Sequence, residues 1–232
     1  MQIVNDTAKE AAAKAALKFV EDGQVIGLGS GSTAVHLLPP LAERIRKGLK
    51  IRGVPTSSHT RDLANQLGIP LATLEECPLI DVTIDGADEI DPKMRLIKGG
   101  GGALLREKII ASASRKLVII ADSTKQVTVL GKFPLPVEIV GFAHAFVTKK
   151  IEALGALVKL RQDPAGTPYV TDEGHQILDC NFGQIPDPAA LASALDAIPG
   201  VMEHGLFIGM ADVALIAEGT EVKELHRTKI AL

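Results

Sequence analysis

The 232-residue sequence has no tryptophan and a single tyrosine, which argues against a surface that reads nucleic acid by stacking bases on aromatic rings. Charge excludes the same partners: a formal net charge of -3 gives no field that would gather a polyanion or an anionic membrane. Cysteine is scarce. Cys77 and Cys180 stand far apart, without CxxC or Cys/His spacing, and read as reduced, small apolar residues. No apolar run is long enough to span a membrane, and the N-terminus lacks the basic-then-apolar pattern of a signal peptide. The expected location is the cytoplasm. The six histidines (His36, His59, His144, His175, His204, His226) share no spacing, and neither HExxH nor a local Ser/His/Asp signature occurs. No metal and no cofactor is expected.

What is present is the make-up of an ordinary globular protein, 46% hydrophobic and 23% charged. Thr7 with Glu10 forms a capping-box pattern before an Ala-rich helix that runs to Gly23. A buried strand at 25–28 leads into a glycine-rich turn. Helices are expected at 34–47, 60–67 and 103–114, and strands at 51–55, 80–85, 95–98 and 117–120. This alternation predicts an α/β fold with a doubly wound, mostly parallel, Rossmann-like sheet. After Lys132-Phe133-Pro134-Leu135-Pro136 the pattern changes. Strand 137–140, helix 143–154, strand 157–161, two strands around Asp172-Glu173-Gly174, helix 188–197 and strand 201–204 suggest a small ferredoxin-like α+β unit. Strand 211–217 and a short element at 222–225 return to the first domain. The expected division is therefore 1–131 plus 205–232, and 132–204.

Four segments could carry chemistry. In Gly27-Leu28-Gly29-Ser30-Gly31-Ser32-Thr33-Ala34, glycines bring backbone N–H groups close to a ligand at a helix N-terminus, with three hydroxyls beside them. An anion such as phosphate fits, and so does a plain tight turn. The loop is neither a Walker A motif nor a dinucleotide fingerprint, since Ser32 takes the third glycine position. Thr56-Ser57-Ser58-His59-Thr60 lies at the same sheet edge, where a hydroxyl-rich helix cap is the simpler reading. Asp85-Gly86-Ala87-Asp88-Glu89-Ile90-Asp91 gathers four acids at a strand end. Ala87 spoils an EF-hand loop, a Mg²⁺ site is open in principle, and clustered carboxylates near a lysine suit proton transfer. A solvated turn is the alternative.

Lys98-Gly99-Gly100-Gly101-Gly102 is entropically costly as a mere connector, and its N–H groups could face a developing oxyanion with Lys98 at the edge. Glu107 follows about one helical turn later, which lets its carboxylate point back toward the glycines. Taken in isolation, Glu107 reads as an exposed, ion-paired residue. Lys125, in Ala121-Asp122-Ser123-Thr124-Lys125, closes another apolar strand and by default is a surface lysine.

Together and in this order, GLGSGSTA, DGADEID, KGGGGALLREK and ADSTKQV resemble the ribose-5-phosphate isomerase A family, as do LGKFPLPVEI, DEGHQILD and AIPGVMEHGLF. The resemblance implies cofactor-independent interconversion of ribose 5-phosphate and ribulose 5-phosphate through a cis-enediolate, in the non-oxidative pentose phosphate pathway. It implies Glu107 as general base and Asp85, Asp88 and Lys98 as its catalytic companions. Ser30, Gly31, Ser32 and Thr33 would hold the substrate, chiefly its phosphate, with help from Lys9. Asp85, Gly86, Ala87 and Asp88 form one substrate loop, Lys98, Gly99, Gly100 and Gly101 a second, and Lys125 a further contact. The sequence departs from the family at Ser30, where Thr is usual, at the extra Gly102, and at Leu105, where a hydroxyl residue often sits. Related folds carry CoA-ester or aminosugar chemistry, or serve as sugar-phosphate sensors. The small domain, without a catalytic motif, is expected to make subunit contacts in a homodimer or homotetramer. No nucleic acid and no membrane is expected as partner.

Overall fold

A computed structural model describes residues 2–228, with side chains from Asp6 onward. Along the chain run α1 (Gln2–Ala16), β1 (Val25–Leu28), α2 (Gly31–Ala34), α3 (Leu38–Arg46), β2 (Arg52–Pro55), α4 (Ser58–Gln66) and β3 (Val82–Asp85). Then come β4 (Glu89–Ile90), β5 (Leu96–Ile97), α5 (Leu104–Ser112), β6 (Leu117–Asp122), β7 (Leu135–Ile139), α6 (His144–Ala153) and β8 (Leu157–Leu160). The last elements are β9 (Gln176–Asn181), α7 (Pro188–Asp196), β10 (Val201–His204), β11 (Leu206–Phe207), β12 (Val213–Glu218) and β13 (Glu221–His226). Among the described residues no helix is long and apolar enough to cross a membrane.

The chain divides into two compact units: Met1–Ala87 with Arg106–Lys125 and Gly209–Leu232, and Asp88–Leu105 with Gln126–Ile208. The first holds a six-stranded sheet in the order β13-β12-β6-β3-β1-β2, parallel except for the β12–β13 hairpin. Side chains alternate across it as the period of two requires. Ile26, Leu28, Ile84 and Val118 face α1, whose Ala8, Ala12, Ala13 and Ala16 let the helix lie close to the strands. Val54 and Ile80 belong to a second cluster with Ile110 of α5. Each fully buried Ile or Leu contributes about 1.5–3 kcal/mol relative to an exposed one.

The second unit contains a four-stranded antiparallel sheet, order β10-β7-β9-β8, built by the elements β7-α6-β8-β9-α7-β10. This is the expected ferredoxin-like pattern. Val147 and Ile151 of α6 and Leu195 of α7 pack on Val137, Ile139 and Leu178. A smaller sheet, β11-β5-β4, belongs to the same unit.

Several local expectations need correction. Thr7 is not a cap: the helix begins at Gln2, so the Thr7/Glu10 pair lies within it. The helix expected at 34–47 starts at Gly31 and tightens into a 3₁₀ turn at Val35–Leu37 before α3, whose first turn accommodates proline. β5 pairs with Glu89–Ile90, which had no periodicity to betray a strand. Only one strand flanks Asp172-Glu173-Gly174, because on the other side Val170 makes a single bridge to Gln176 and Pro168 one to Gln162. The division into units also runs differently from 131/132 and 204/205. Residues 88–105 go with the smaller unit, since β5 pairs with β11 and the Glu89 carboxylate accepts the N–H groups of Gly131 and Phe133 at 2.7 and 2.6 Å.

Candidate active site

In the first unit, Leu28 ends β1, Pro55 ends β2 and Asp85 ends β3, and β2 and β3 lie on opposite sides of β1. The chain thus changes direction across the sheet at the carboxyl edge between β1 and β3, where open α/β sheets receive ligands. Asp85 is 1% exposed, and its Oδ1 accepts the N–H groups of Ser30 at 3.0 Å and Gly86 at 2.7 Å. The approach requires glycine next door: a Cβ at Gly29 would stand 2.3 Å from that oxygen.

The serine loop is braced from below by the Thr56–Thr60 motif. Ser30 Oγ lies 2.6 Å from Thr56 Oγ1, Thr56 donates to the Leu28 carbonyl at 3.0 Å, and Thr60 Oγ1 donates to that of Gly29 at 3.1 Å. Ser57 caps α4 by accepting the Thr60 N–H, so the simple capping reading holds for that residue while its neighbours support the loop. Ser30 therefore shapes the loop, and Gly31, Ser32 and Thr33 open α2 with first-turn N–H groups that need acceptors from outside the helix. α1 packs against α2, and its Lys9, 16% exposed, pairs with Asp6 at 3.7 Å. Lys125 ends the turn after β6, half-buried, in a loop fixed by the Asp122 carboxylate on the Thr124 N–H at 3.0 Å.

In the second unit, Asp88 Oδ2 accepts the Gly100 N–H at 2.8 Å across 12 positions of sequence. Gly99 takes φ +101°, and the Gly102 N–H closes the turn onto the Gly99 carbonyl at 3.0 Å, leaving Gly100 and Gly101 exposed. Lys98 is only 3% exposed, with Nζ 5.4 Å from the Phe207 ring centre. Asp85 is thus tied to the serine loop within the first unit and Asp88 to the glycine loop within the second, and Gly86 and Ala87 are half-buried. Glu107 sits in the first turn of α5, directly after the glycines in sequence, and is 5% exposed. The exposed reading of that residue is wrong. A helix N-terminus favours its negative charge.

The other two acids of the cluster are structural. Glu89 binds backbone as described, and Asp91 Oδ1 accepts the N–H groups of Lys93 and Arg95, both at 2.9 Å. Asp196, Glu203 and His204 bring their side-chain ligand atoms within 4.8 Å of one another. His204 Nδ1, however, accepts the Leu206 N–H at 3.2 Å, which leaves the ring proton on Nε2, 3.2 Å from Asp196. That arrangement ties α7 to β10 and leaves the His204 ring no lone pair for a cation. A cleft of about 620 Å³ lined by Val54, Arg61, Leu71, Leu74, Arg106 and Ile109 contains none of the candidate residues.

Sequence reasoning missed three residues of the second unit that hold the glycine loop from behind. Arg161 donates to the Gly99 carbonyl at 2.8 Å and to that of Gly100 at 3.3 Å, while Asp179 grips the same guanidinium, Nε to Oδ2 at 3.0 Å. Tyr169 lies beside Arg161, its hydroxyl 3.4 Å from the Gly101 carbonyl, and burial raises its pKa so that it stays a donor. The available signals were faint: the extra glycine at 102 and the lone tyrosine.

The family model of ribose 5-phosphate isomerase A (phosphoriboisomerase A) matches residues 52–221. Ribose-5-phosphate isomerase A of Nitrobacter hamburgensis is 52% identical over 229 residues, covering 96% of this chain and 98% of that protein. A solved D-ribose-5-phosphate isomerase in complex with phospho-erythronic acid is 40% identical with a TM-score of 0.93, covering 96% of this chain and 99% of that one. The ribose 5-phosphate isomerase of Plasmodium falciparum superposes with a TM-score of 0.92 at 38% identity, over 97% of this chain and 100% of that one. The chain belongs to the ribose 5-phosphate isomerase A family, enzymes that interconvert an aldose and a ketose form of a pentose phosphate.

Proposed function

We propose that this chain isomerises ribose 5-phosphate and ribulose 5-phosphate with Glu107 as the base that carries a proton between C2 and C1. The observation that carries the assignment is that each unit fixes its own acid on a loop backbone, Asp85 on the Ser30 N–H at 3.0 Å in the first and Asp88 on the Gly100 N–H at 2.8 Å in the second. Lys98 and the N–H groups of the glycine loop stabilise the enediolate oxygens. Asp85, held on two backbone donors, moves protons at the sugar oxygens and assists ring opening. Asp88 orients a hydroxyl. The first-turn N–H groups of Gly31, Ser32 and Thr33 take the phosphate, with Lys9 and Lys125 supplying charge. A bound phospho-erythronic acid in a relative supports the reading, because its carboxylate presents two coplanar oxygens as an enediolate does.

Replacing Glu107 by Gln should lower kcat by about 10²- to 10⁴-fold while leaving KM close to that of the parent. In deuterated water the parent should incorporate label at C1 of the product. Normal turnover in the Gln variant removes Glu107 from the mechanism, and label at C1 excludes a hydride shift.

The quaternary assignment is a homodimer or homotetramer assembled through the smaller unit. It is supported by that unit's exposed Phe142, at 101%, Leu157 at 77% and Phe146 at 49%. Sedimentation of the purified protein decides it, a monomer being the contrary result. Cytoplasmic operation is supported by two buried cysteines that form no disulfide. Fractionation of cells and detection of the enzyme outside the cytoplasm would overturn that placement.

A further inference from the structure

We propose that Arg161, clamped by Asp179, is a positioning residue that fixes and polarises the glycine loop; the inference rests on reading that loop as a donor set for the enediolate. Arg161 lies outside every motif that suggests chemistry, yet it is 13% exposed and spends three of its nitrogens inside the smaller unit. One nitrogen, Nη1, reaches both the Gly99 and the Gly100 carbonyls. The other two lock onto the Asp179 carboxylate as a planar fork, so the guanidinium cannot follow the loop if the loop moves.

The chemical consequence follows from the peptide units involved. The Gly99 carbonyl shares its amide with the Gly100 N–H, and the Gly100 carbonyl shares its amide with the Gly101 N–H. A cation donating to a carbonyl withdraws charge through the amide and makes the attached N–H a stronger donor. The Gly100 N–H spends that gain on Asp88, holding the carboxylate in place. Among the described residues nothing accepts from the Gly101 N–H, and open space adjoins its Cα. Its strengthened donor is therefore available to an oxyanion. Tyr169 completes the support by reaching the Gly101 carbonyl and stacking its ring beside Arg161, 5.9 Å from the guanidinium carbon. A loop of four glycines has no side chains with which to fix its own geometry, so these groups supply what its composition lacks.

The test compares Arg161→Met, Arg161→Lys and Asp179→Asn with the parent, reading kcat and KM for ribose 5-phosphate, inhibition by phospho-erythronic acid, and thermal unfolding. Misplaced donors should cost the Met variant about 10²-fold in kcat with KM changed by less than about threefold. Inhibition by phospho-erythronic acid should weaken in step with kcat/KM, because that ligand uses the same donors. Lys, which keeps the charge without the fork, should recover part of the loss, and Asp179→Asn should fall between. A folded Met variant with parental kcat, or a loss confined to KM, overturns the proposal. Should the Met variant fail to fold, parental kcat in both the Lys and the Asn variants overturns it equally. Lys98→Met, assayed alongside, separates the two layers. Parental turnover there defeats the underlying reading of the loop, whereas a crippled Lys98→Met beside an unaffected Arg161→Met defeats this inference alone.

Discussion

Gly102 should not tolerate even one methyl group. It sits at φ +82°, and a Cβ there would come 2.3 Å from Tyr169 Oη and 2.6 Å from ring carbons Cε1 and Cζ. The left-handed backbone costs a non-glycine residue roughly 1–2 kcal/mol. Forcing a methyl into an occupied position adds about 1–3 kcal/mol, less whatever the ring gives by shifting. Gly102→Ala should therefore lose about 2–5 kcal/mol in urea unfolding. The two contributions separate in a double-mutant cycle with Tyr169→Ala, since removing the ring abolishes the clash and leaves the backbone strain. The Ala substitution should then cost only about 1–2 kcal/mol in the Tyr169→Ala background. An equal penalty in both backgrounds would show that the ring does not exclude the methyl, and a penalty below about 0.5 kcal/mol would refute both terms.

Two further outcomes follow from burial. Glu138 on β7 is 1% exposed, accepts from Thr171 at 2.9 Å and has His175 Nδ1 at 3.0 Å, and desolvation nevertheless raises its pKa. Folding thus favours its protonated form, a contribution present below the unfolded pKa and lost as pH rises through the folded one. Glu138→Gln should gain stability relative to the parent as pH climbs from about 4 to 7, measured by urea midpoints, and a difference that stays flat with pH would contradict this. The Cys180 thiol, pushed up to about 12 chiefly by burial, should not react with a disulfide reagent at pH 8 until the protein unfolds; stoichiometric labelling of the native enzyme would contradict its environment.

The strands of the parallel sheet were legible because each is a short apolar run closed by a turn residue, as Val25–Leu28 before Gly29 and Leu117–Asp122 before Ser123 illustrate. Elements defined by pairing alone were not. Glu89–Ile90 is a strand only because Leu96–Ile97 lies beside it, and nothing in two residues announces that. Thr7 and Glu10 made a plausible cap, but an Ala-rich helix extends past such a signal when residues before it are equally helix-compatible. The loops that carry the candidate site residues Asp85, Asp88 and Lys98 stand out in the sequence because they are compositionally odd. The burial of Glu107 could not be read from the charged run Arg106-Glu107-Lys108 around it, nor could Arg161, which donates to the Gly99 carbonyl from 62 positions away, or Asp179, which holds Arg161. Long-range side-chain-to-carbonyl contacts leave no local periodicity.

The position of β12 has a consequence for how the chain is made. Residues 213–218 form an interior strand between β6 and β13, yet they are synthesised after the whole smaller unit. Until they emerge from the ribosome, β6, with Leu117 to Asp122 all buried in the finished fold, is an open edge that any passing strand can pair with. A chain stopped at Ile208 should accumulate in the insoluble fraction, and its recovery as a soluble monomer would show that the nascent protein protects that edge in some other way.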